Sequence, residues 1–274
     1  MLKGINQWCY PTGTRLEEIF EYSRDAGFDT VELNLNKVGD VGLTVETTKQ
    51  EAIDIKEMAS SYGIQLQSLS TALLWETPLS SADENIQKQG IDTVKKMLEI
   101  SSYIGIDTIL VVPGAVTEEV SYDDCYRRSQ EAIKQTIATA EKYNVKIGIE
   151  NVWNKFLLSP LEMARYIDEL GSSHIGAYFD VGNVLQFGYP EQWIRILNNR
   201  IFKVHVKDFD TQAGNGTGFR NLLAGDVNWG AVVAELNEIG YTGALTAELT
   251  PYKQSANALA NDTARHLDVI LNNK

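Results

Sequence analysis

Cysteine and histidine are scarce in this sequence. Its 274 residues include two cysteines, Cys9 and Cys125, and three histidines. Two cysteines do not make the disulfide framework of a small secreted protein, and three histidines argue against a site that holds several zinc ions through imidazole. The N-terminus also lacks the apolar segment of a signal peptide. These absences predict a cytoplasmic protein.

Long hydrophobic runs and an excess of positive charge are also missing. The longest apolar stretch, residues 104–116, is interrupted by Asp107 and Pro113 and falls short of the roughly 20 apolar residues of a membrane helix. Lys and Arg number 24 against 37 Asp and Glu, which gives a net charge of −13. Because such a charge repels a phosphate backbone, we do not expect a nucleic acid as a partner, and the short apolar stretch argues against a membrane.

Short β-branched or aromatic runs alternate with amphipathic segments along the whole chain. The predicted strands are residues 3–9, 29–35, 64–71, 108–113, 145–152, 175–181, 201–208 and 243–249. The predicted helices are residues 16–26, 50–62, 85–104, 122–143, 160–170, 191–198, 229–239 and 256–271. No glycine-rich nucleotide motif follows the first strand, which argues against an open doubly wound sheet. The rhythm predicts an α/β fold, a single (β/α)8 TIM barrel that forms one catalytic domain over residues 1–274.

The active site of such a barrel lies at the carboxyl ends of its strands, where alternate side chains point inward. In four consecutive predicted strands the apolar residues take one parity and a polar residue near the strand end takes the other. These polar residues are Glu150, Asp180, His205 and Glu248. Each alone would fit a hydrogen-bonded polar group, but three neighbouring buried carboxylates repel one another unless a cation holds them. The pattern therefore predicts a divalent metal site with oxygen and nitrogen ligands.

Five motifs along the chain resemble the xylose-isomerase-like TIM-barrel superfamily of sugar and sugar-phosphate isomerases and epimerases, in particular its ketose 3-epimerases. The motifs are Ile149-Glu150-Asn151, Phe179-Asp180-Val181-Gly182-Asn183, Val204-His205-Val206-Lys207-Asp208, Gly225-Asp226-Val227-Asn228-Trp229 and Ala247-Glu248-Leu249. The resemblance implies one divalent ion on the four polar residues, Mn²⁺ first, with Co²⁺, Mg²⁺ and Zn²⁺ as alternatives. It also implies that Glu150 and Glu248 are catalytic bases that move the C3 proton of a ketose through an enediolate.

The resemblance also bears on the substrate. Asn183 stands where ketohexose 3-epimerases carry a substrate-contacting histidine, and the motif around it is more similar to that of pentulose-5-phosphate 3-epimerases. A sugar phosphate needs cationic or backbone donors, and Lys207 lies at the end of the seventh predicted strand, with Arg220 in the loop that follows. We therefore expect a small sugar or sugar phosphate as the ligand.

Two further residues lie near the expected pocket. Glu32 has the inward parity of the second strand, so that it can orient His205 or bind the substrate. Trp8 lies at the end of the first strand, where it can wall the pocket. The complete set of predicted substrate-binding residues is Glu32, Asn183, Lys207, Arg220 and Trp8.

Two other functions fit the same residues. An inosose-type dehydratase begins with the same removal of a proton next to a carbonyl, and only the leaving hydroxyl differs. A barrel that binds metal or sugar without turnover has no need of carboxylates on opposite faces of its ligand, so Glu150 and Glu248 argue against it. The sequence leaves the sugar's chain length and the oligomeric state open, a homo-oligomer included.

Overall fold

The computed structural model describes residues 1–255 and 257–272. Its barrel strands are β1 Leu2–Asn6, β2 Thr30–Asn36, β3 Gln65–Thr71, β4 Thr108–Val111, β5 Lys146–Glu150, β6 Ile175–Asp180, β7 Ile201–Val206 and β8 Ala244–Ala247. Each strand pairs in parallel with its neighbours in the chain, and β1 pairs with both β2 and β8. The sheet is therefore closed, which confirms the predicted TIM barrel.

Helices cover the outside of the barrel. Within the described residues they are α1 Leu16–Ala26, α2 Lys49–Ser61, α3 Glu84–Ile104, α4 Tyr122–Tyr143, α5 Pro160–Leu170, α6 Pro190–Leu197, α7 Trp229–Glu238 and α8 Ala258–Asn272. Residue 256, where the last predicted helix begins, lies outside the described residues. A one-turn helix, Val181–Val184, follows β6, and the two-residue strands Asp208–Phe209 and Phe219–Arg220 form an antiparallel hairpin after β7.

The first and sixth strands end earlier than predicted because polar side chains capture the next backbone amides. The side chain of Asn6 accepts a hydrogen bond from the amide of Trp8 and begins a short 3₁₀ turn. The carboxylate of Asp180 accepts from the amide of Asn183 and begins the one-turn helix. Such local bonds compete with the sheet for the backbone, so both strands end in a short turn at the mouth of the barrel.

The strands alternate as the sequence predicts. Ile147 and Ile149 of β5 are buried in the apolar layer between sheet and helices, whereas Gly148 has the inward parity. A Cβ atom at Gly148 would lie 2.9 Å from Cβ of Tyr178 on the neighbouring strand. The glycine therefore gives Tyr178 the space to lie inside the barrel.

The long loop after β7 is anchored at its base by Asp208, which is fully buried. Its Oδ1 accepts hydrogen bonds from the amides of Phe209 and Val227, at 2.9 and 3.1 Å, and its Oδ2 accepts from Nε1 of Trp229 at 3.0 Å. A single carboxylate thus joins two motifs that lie about 20 residues apart in the sequence. These hydrogen bonds close the base of the loop.

We expect Gly225→Ala to destabilise this anchor. A Cβ atom at position 225 would lie 2.4 Å from Oδ1 of Asp208 and 2.7 Å from the backbone of Phe209, and neither group can move without breaking hydrogen bonds. Overpacking of this kind costs about 1–3 kcal/mol in the free energy of unfolding. Gly216→Ala is the matched control, since nothing lies within 4 Å of the Cβ atom it would add. Equal denaturation midpoints for the two variants would contradict the expected strain.

Candidate metal centre at the barrel mouth

Four side chains from consecutive strands converge at the carboxyl end of the barrel. Glu150 and Asp180 end β5 and β6, His205 is the penultimate residue of β7, and Glu248 directly follows β8. One oxygen or nitrogen atom of each lies within 4.8 Å of the corresponding atoms of the others. The first three are buried and Glu248 is partly exposed, so the cluster opens toward the mouth on its Glu248 side.

The two nitrogens of His205 face different partners. Nδ1 lies 3.2 Å from Oε1 of Glu150 and 3.7 Å from Oε2 of Glu248. Nε2 points away from the cluster and lies 2.6 Å from Oε1 of Glu32. A metal-binding imidazole uses one nitrogen for the metal and donates its other N–H to an acceptor. Nδ1 is therefore the nitrogen that a cation in the cluster would contact.

Burial and mutual repulsion disfavour the charged forms of two carboxylates in the cluster. Burial raises the pKa of Glu150 to about 7, opposed by the contact with His205 and reinforced by repulsion from Glu248. Burial also raises the pKa of Asp180, which attraction to Lys207 only partly offsets. The Lys207 ammonium lies 2.9 Å from Oδ2 of Asp180 and also contacts Glu248. One ammonium group thus faces several carboxylates.

A divalent metal ion fits this arrangement. Among the described residues, no group makes a well-oriented hydrogen bond to the buried Oδ2 of Asp180, despite the nearby ammonium of Lys207. Three carboxylates and one imidazole are hard or borderline ligands that suit Mn²⁺, Mg²⁺, Co²⁺ or Zn²⁺. Two charges on the ion and one on Lys207 would balance the three carboxylates. The ligands would be Glu150, Asp180, His205 and Glu248.

Glu32 and Lys207 lie against the cluster. Glu32 is fully buried beneath His205, where both of its oxygens accept hydrogen bonds. Burial would raise the pKa of Glu32, but His205 and the hydrogen bonds lower it to about 2. Lys207 lies among the carboxylates, which raise the pKa of its ammonium against the opposing effect of burial.

The side chains of the other three predicted substrate-binding residues contact groups outside the four-residue cluster. Asn183 donates to the backbone oxygen of Asn151 at 2.9 Å and so joins the loops after β5 and β6. Arg220 is engaged in the hairpin after β7, where it donates to Asp210 at 3.0 Å. Trp8 is half-buried, with Nε1 2.8 Å from the side-chain amide of Asn34. Their substrate-binding roles stay predictions.

Two residues beside the cluster are not predicted as site residues from the sequence. Tyr178 is fully buried, donates to Glu32 and stacks at a tilt on His205 with ring centroids 4.5 Å apart. Asn6 is fully buried as well and donates to the same carboxylate. Tyr178 has the inward parity of Asp180, and this parity indicates a side chain inside the barrel. It does not by itself indicate a functional residue, because an aromatic residue in a strand usually belongs to the hydrophobic core.

The chain also matches known families and proteins. The family model described as xylose isomerase-like TIM barrel matches residues 20–270. The L-ribulose-5-phosphate 3-epimerase UlaE of Escherichia coli (strain SMS-3-5 / SECEC) is 22% identical over 268 residues, which are 97% of this chain and 92% of that protein.

Solved structures share the fold over nearly their whole length. A D-psicose 3-epimerase determined in the presence of D-fructose superposes with a TM-score of 0.82 at 18% identity, covering 99% of both chains. An L-ribulose 3-epimerase superposes with a TM-score of 0.79 at 19% identity, covering 98% of this chain and 94% of that one. No helix in the described part of the chain is long and apolar enough to cross a membrane. With its closed barrel and a family match over residues 20–270, this chain belongs to the xylose isomerase-like TIM barrel family.

Proposed function

We propose that this chain is a metal-dependent epimerase that inverts C3 of a ketose or ketose phosphate, within one catalytic domain. The observation that carries the proposal is the convergence of Glu150 and Glu248 with Asp180 and His205 on one point at the barrel mouth. The relative named L-ribulose-5-phosphate 3-epimerase, which aligns along almost the whole chain, supports the same reaction class. A cytoplasmic location stays a prediction from the sequence, which leaves the oligomeric state open.

Inversion at carbon needs one base on each face of the substrate. Glu150 ends β5 and Glu248 follows β8, with β6 and β7 between them, so the two carboxylates reach the cluster from different sides. One takes the C3 proton and the other returns a proton from the opposite side. A divalent ion held by the four ligands would polarise the neighbouring carbonyl and stabilise the negative charge left by the proton.

Lys207 assists this pair through Glu248. Burial would raise the pKa of Glu248, but Lys207 and His205 lower it, so that its carboxylate stays ionised. Among the residues that the structure describes, no lysine forms an ion pair with Glu150, and burial raises the pKa of this carboxyl. The two glutamates therefore differ in environment, which suits a pair in which one gives a proton and the other accepts one.

The test is proton exchange at C3. Purified protein loaded with Mn²⁺ is incubated in D₂O with a panel of ketopentoses, ketohexoses and ketose 5-phosphates, and the products are analysed by NMR. We expect one member of the panel to acquire deuterium at C3 and to yield its C3 epimer. Loss of water from the substrate would indicate the dehydratase instead, and sugar binding without exchange would indicate a non-catalytic barrel.

A further inference from the structure

A chain of buried polar groups runs through the barrel beneath the candidate metal centre. Glu32, on β2, accepts hydrogen bonds at Oε1 from Asn6 and at Oε2 from Tyr178, and Oε1 lies 2.6 Å from Nε2 of His205. The Tyr178 hydroxyl also lies 3.2 Å from Oγ of Ser68. The link between Glu32 and Tyr178 crosses the barrel interior, since β2 and β6 lie four strands apart in the closed sheet.

This environment separates Glu32 from the mouth. Its exposed fraction is 0%, and its two oxygens are already engaged with three side chains. A carboxylate so enclosed has no oxygen to offer a sugar hydroxyl. Its contact with the proposed machinery is through His205.

Glu32 can determine which of the two ring nitrogens of His205 carries the proton. A neutral imidazole carries one N–H, and the two ring nitrogens of His205 face competing carboxylates. With the proton on Nδ1, the ring would donate to Glu150, 3.2 Å away, and Nδ1 would have no lone pair for a metal ion. With the proton on Nε2, the ring donates to Glu32 at the shorter distance of 2.6 Å and Nδ1 is free.

We propose that Glu32, held in place by Tyr178 and Asn6, is a positioning residue that keeps the proton of His205 on Nε2 and Nδ1 available to the metal ion. The inference rests on the metal site of the proposed function, and it assigns Glu32 to the metal rather than to the substrate. Partners of metal-binding histidines typically account for 10–100-fold in metal affinity. Tyr178 contributes through the orientation of Glu32, so its effect is smaller.

The test measures Mn²⁺ affinity by calorimetry without any substrate. We expect Glu32→Gln to weaken Mn²⁺ binding about 10–100-fold, and Tyr178→Phe to weaken it severalfold. Tyr241→Phe is the matched control, because its buried hydroxyl donates to the backbone oxygen of Ala244 at 2.8 Å, at the opposite end of β8. Tyr241→Phe should keep the wild-type dissociation constant for Mn²⁺, even if it lowers the free energy of unfolding.

The His205 tautomer gives a readout that a merely structural role would not change. In ¹⁵N-histidine-labelled protein with Zn²⁺, which is diamagnetic, at a concentration that just saturates the wild type, NMR should show a protonated Nε2 and a metal-bound Nδ1 for His205. We expect that signal pattern to be lost or mixed in Glu32→Gln and intact in Tyr241→Phe. If Glu32→Gln does not fold, Tyr178→Phe still decides, since it removes only one hydroxyl.

Each outcome has a definite meaning. Wild-type Mn²⁺ affinity and an unchanged tautomer in both Glu32→Gln and Tyr178→Phe would overturn the inference. So would a raised KM with unchanged metal affinity, which would assign Glu32 to the substrate. If the wild type binds Mn²⁺ but converts no ketose, the proposed function fails and the positioning role is still tested by affinity. A wild type that binds no divalent ion would overturn both.

Discussion

Glu150→Gln and Glu248→Gln should each reduce epimerisation by about 10²–10⁴-fold, the usual contribution of a positioned acid or base. Glutamine keeps the length of the side chain and one oxygen that can face a metal, but it cannot take up a proton. Because inversion needs both faces of the substrate, loss of either base should stop it. Turnover of both epimers by the metal-loaded variants is the measurement.

Proton exchange distinguishes this two-base mechanism from simple damage to the site. In each variant the surviving carboxylate still addresses one face, so one variant should exchange the C3 proton of one epimer with D₂O, and the second variant that of the other epimer. Glu99→Gln, on α3 where the side chain contacts Lys96 and Tyr103, is the control and should keep full activity. Near-normal epimerisation by both variants with verified metal content would refute the mechanism.

Removal of the metal should abolish turnover and lower the melting temperature. An ion that binds only the folded protein stabilises it by about 2.7 kcal/mol when its free concentration is 100 times the dissociation constant. For a chain of this size that corresponds to about 5–10 °C between the chelated and the Mn²⁺-loaded protein. Both effects should reverse when Mn²⁺ is added back, and calorimetry or thermal melts will measure the shift.

Two aspartate variants make this measurement specific. Asp180→Asn keeps an oxygen for the amide of Asn183, which it contacts at 2.8 Å, but it removes a charge from the cluster, so the Mn²⁺-induced shift should shrink or vanish. Asp168→Asn, on α5, removes a surface pair with Arg200 and should leave the shift intact. A chelated wild type that melts at the same temperature with and without excess Mn²⁺ would exclude the proposed site.

The residues of the cluster could be predicted because strand geometry is regular. Side chains alternate along a strand, so the parity of the neighbouring isoleucines placed Glu150 inside the barrel, and the same argument placed Asp180 and His205. The closure of the barrel then brings the ends of β5 to β8 to one point. No knowledge of side-chain rotamers is needed for that step.

Other features of the site follow no such period. The direction of Arg220 is set by the hairpin in which it pairs with Asp210, and loop paths of this kind leave little trace in hydrophobic patterns. Lys207 shares the inward parity of His205, but it lies one residue beyond the end of β7, so strand alternation alone does not predict the contact of its ammonium with Asp180. The partners of Glu32 come from opposite sides of the barrel, and only the three-dimensional structure brings them together.

The closure of the sheet has a consequence for how the chain folds during its synthesis. β1 needs both β2 and β8 as partners, and β8 begins at Ala244, about 200 residues after β2. At about 5–20 residues per second, ribosomes need about 10–40 seconds to make that intervening stretch. Throughout this time one edge of Leu2–Asn6 has no strand beside it, and an exposed edge can pair with another chain. Until β8 is made, the nascent barrel is thus an open sheet with unpaired edges, one of them at β1. We expect the risk of aggregation to be highest before β8 pairs with that edge and closes the sheet.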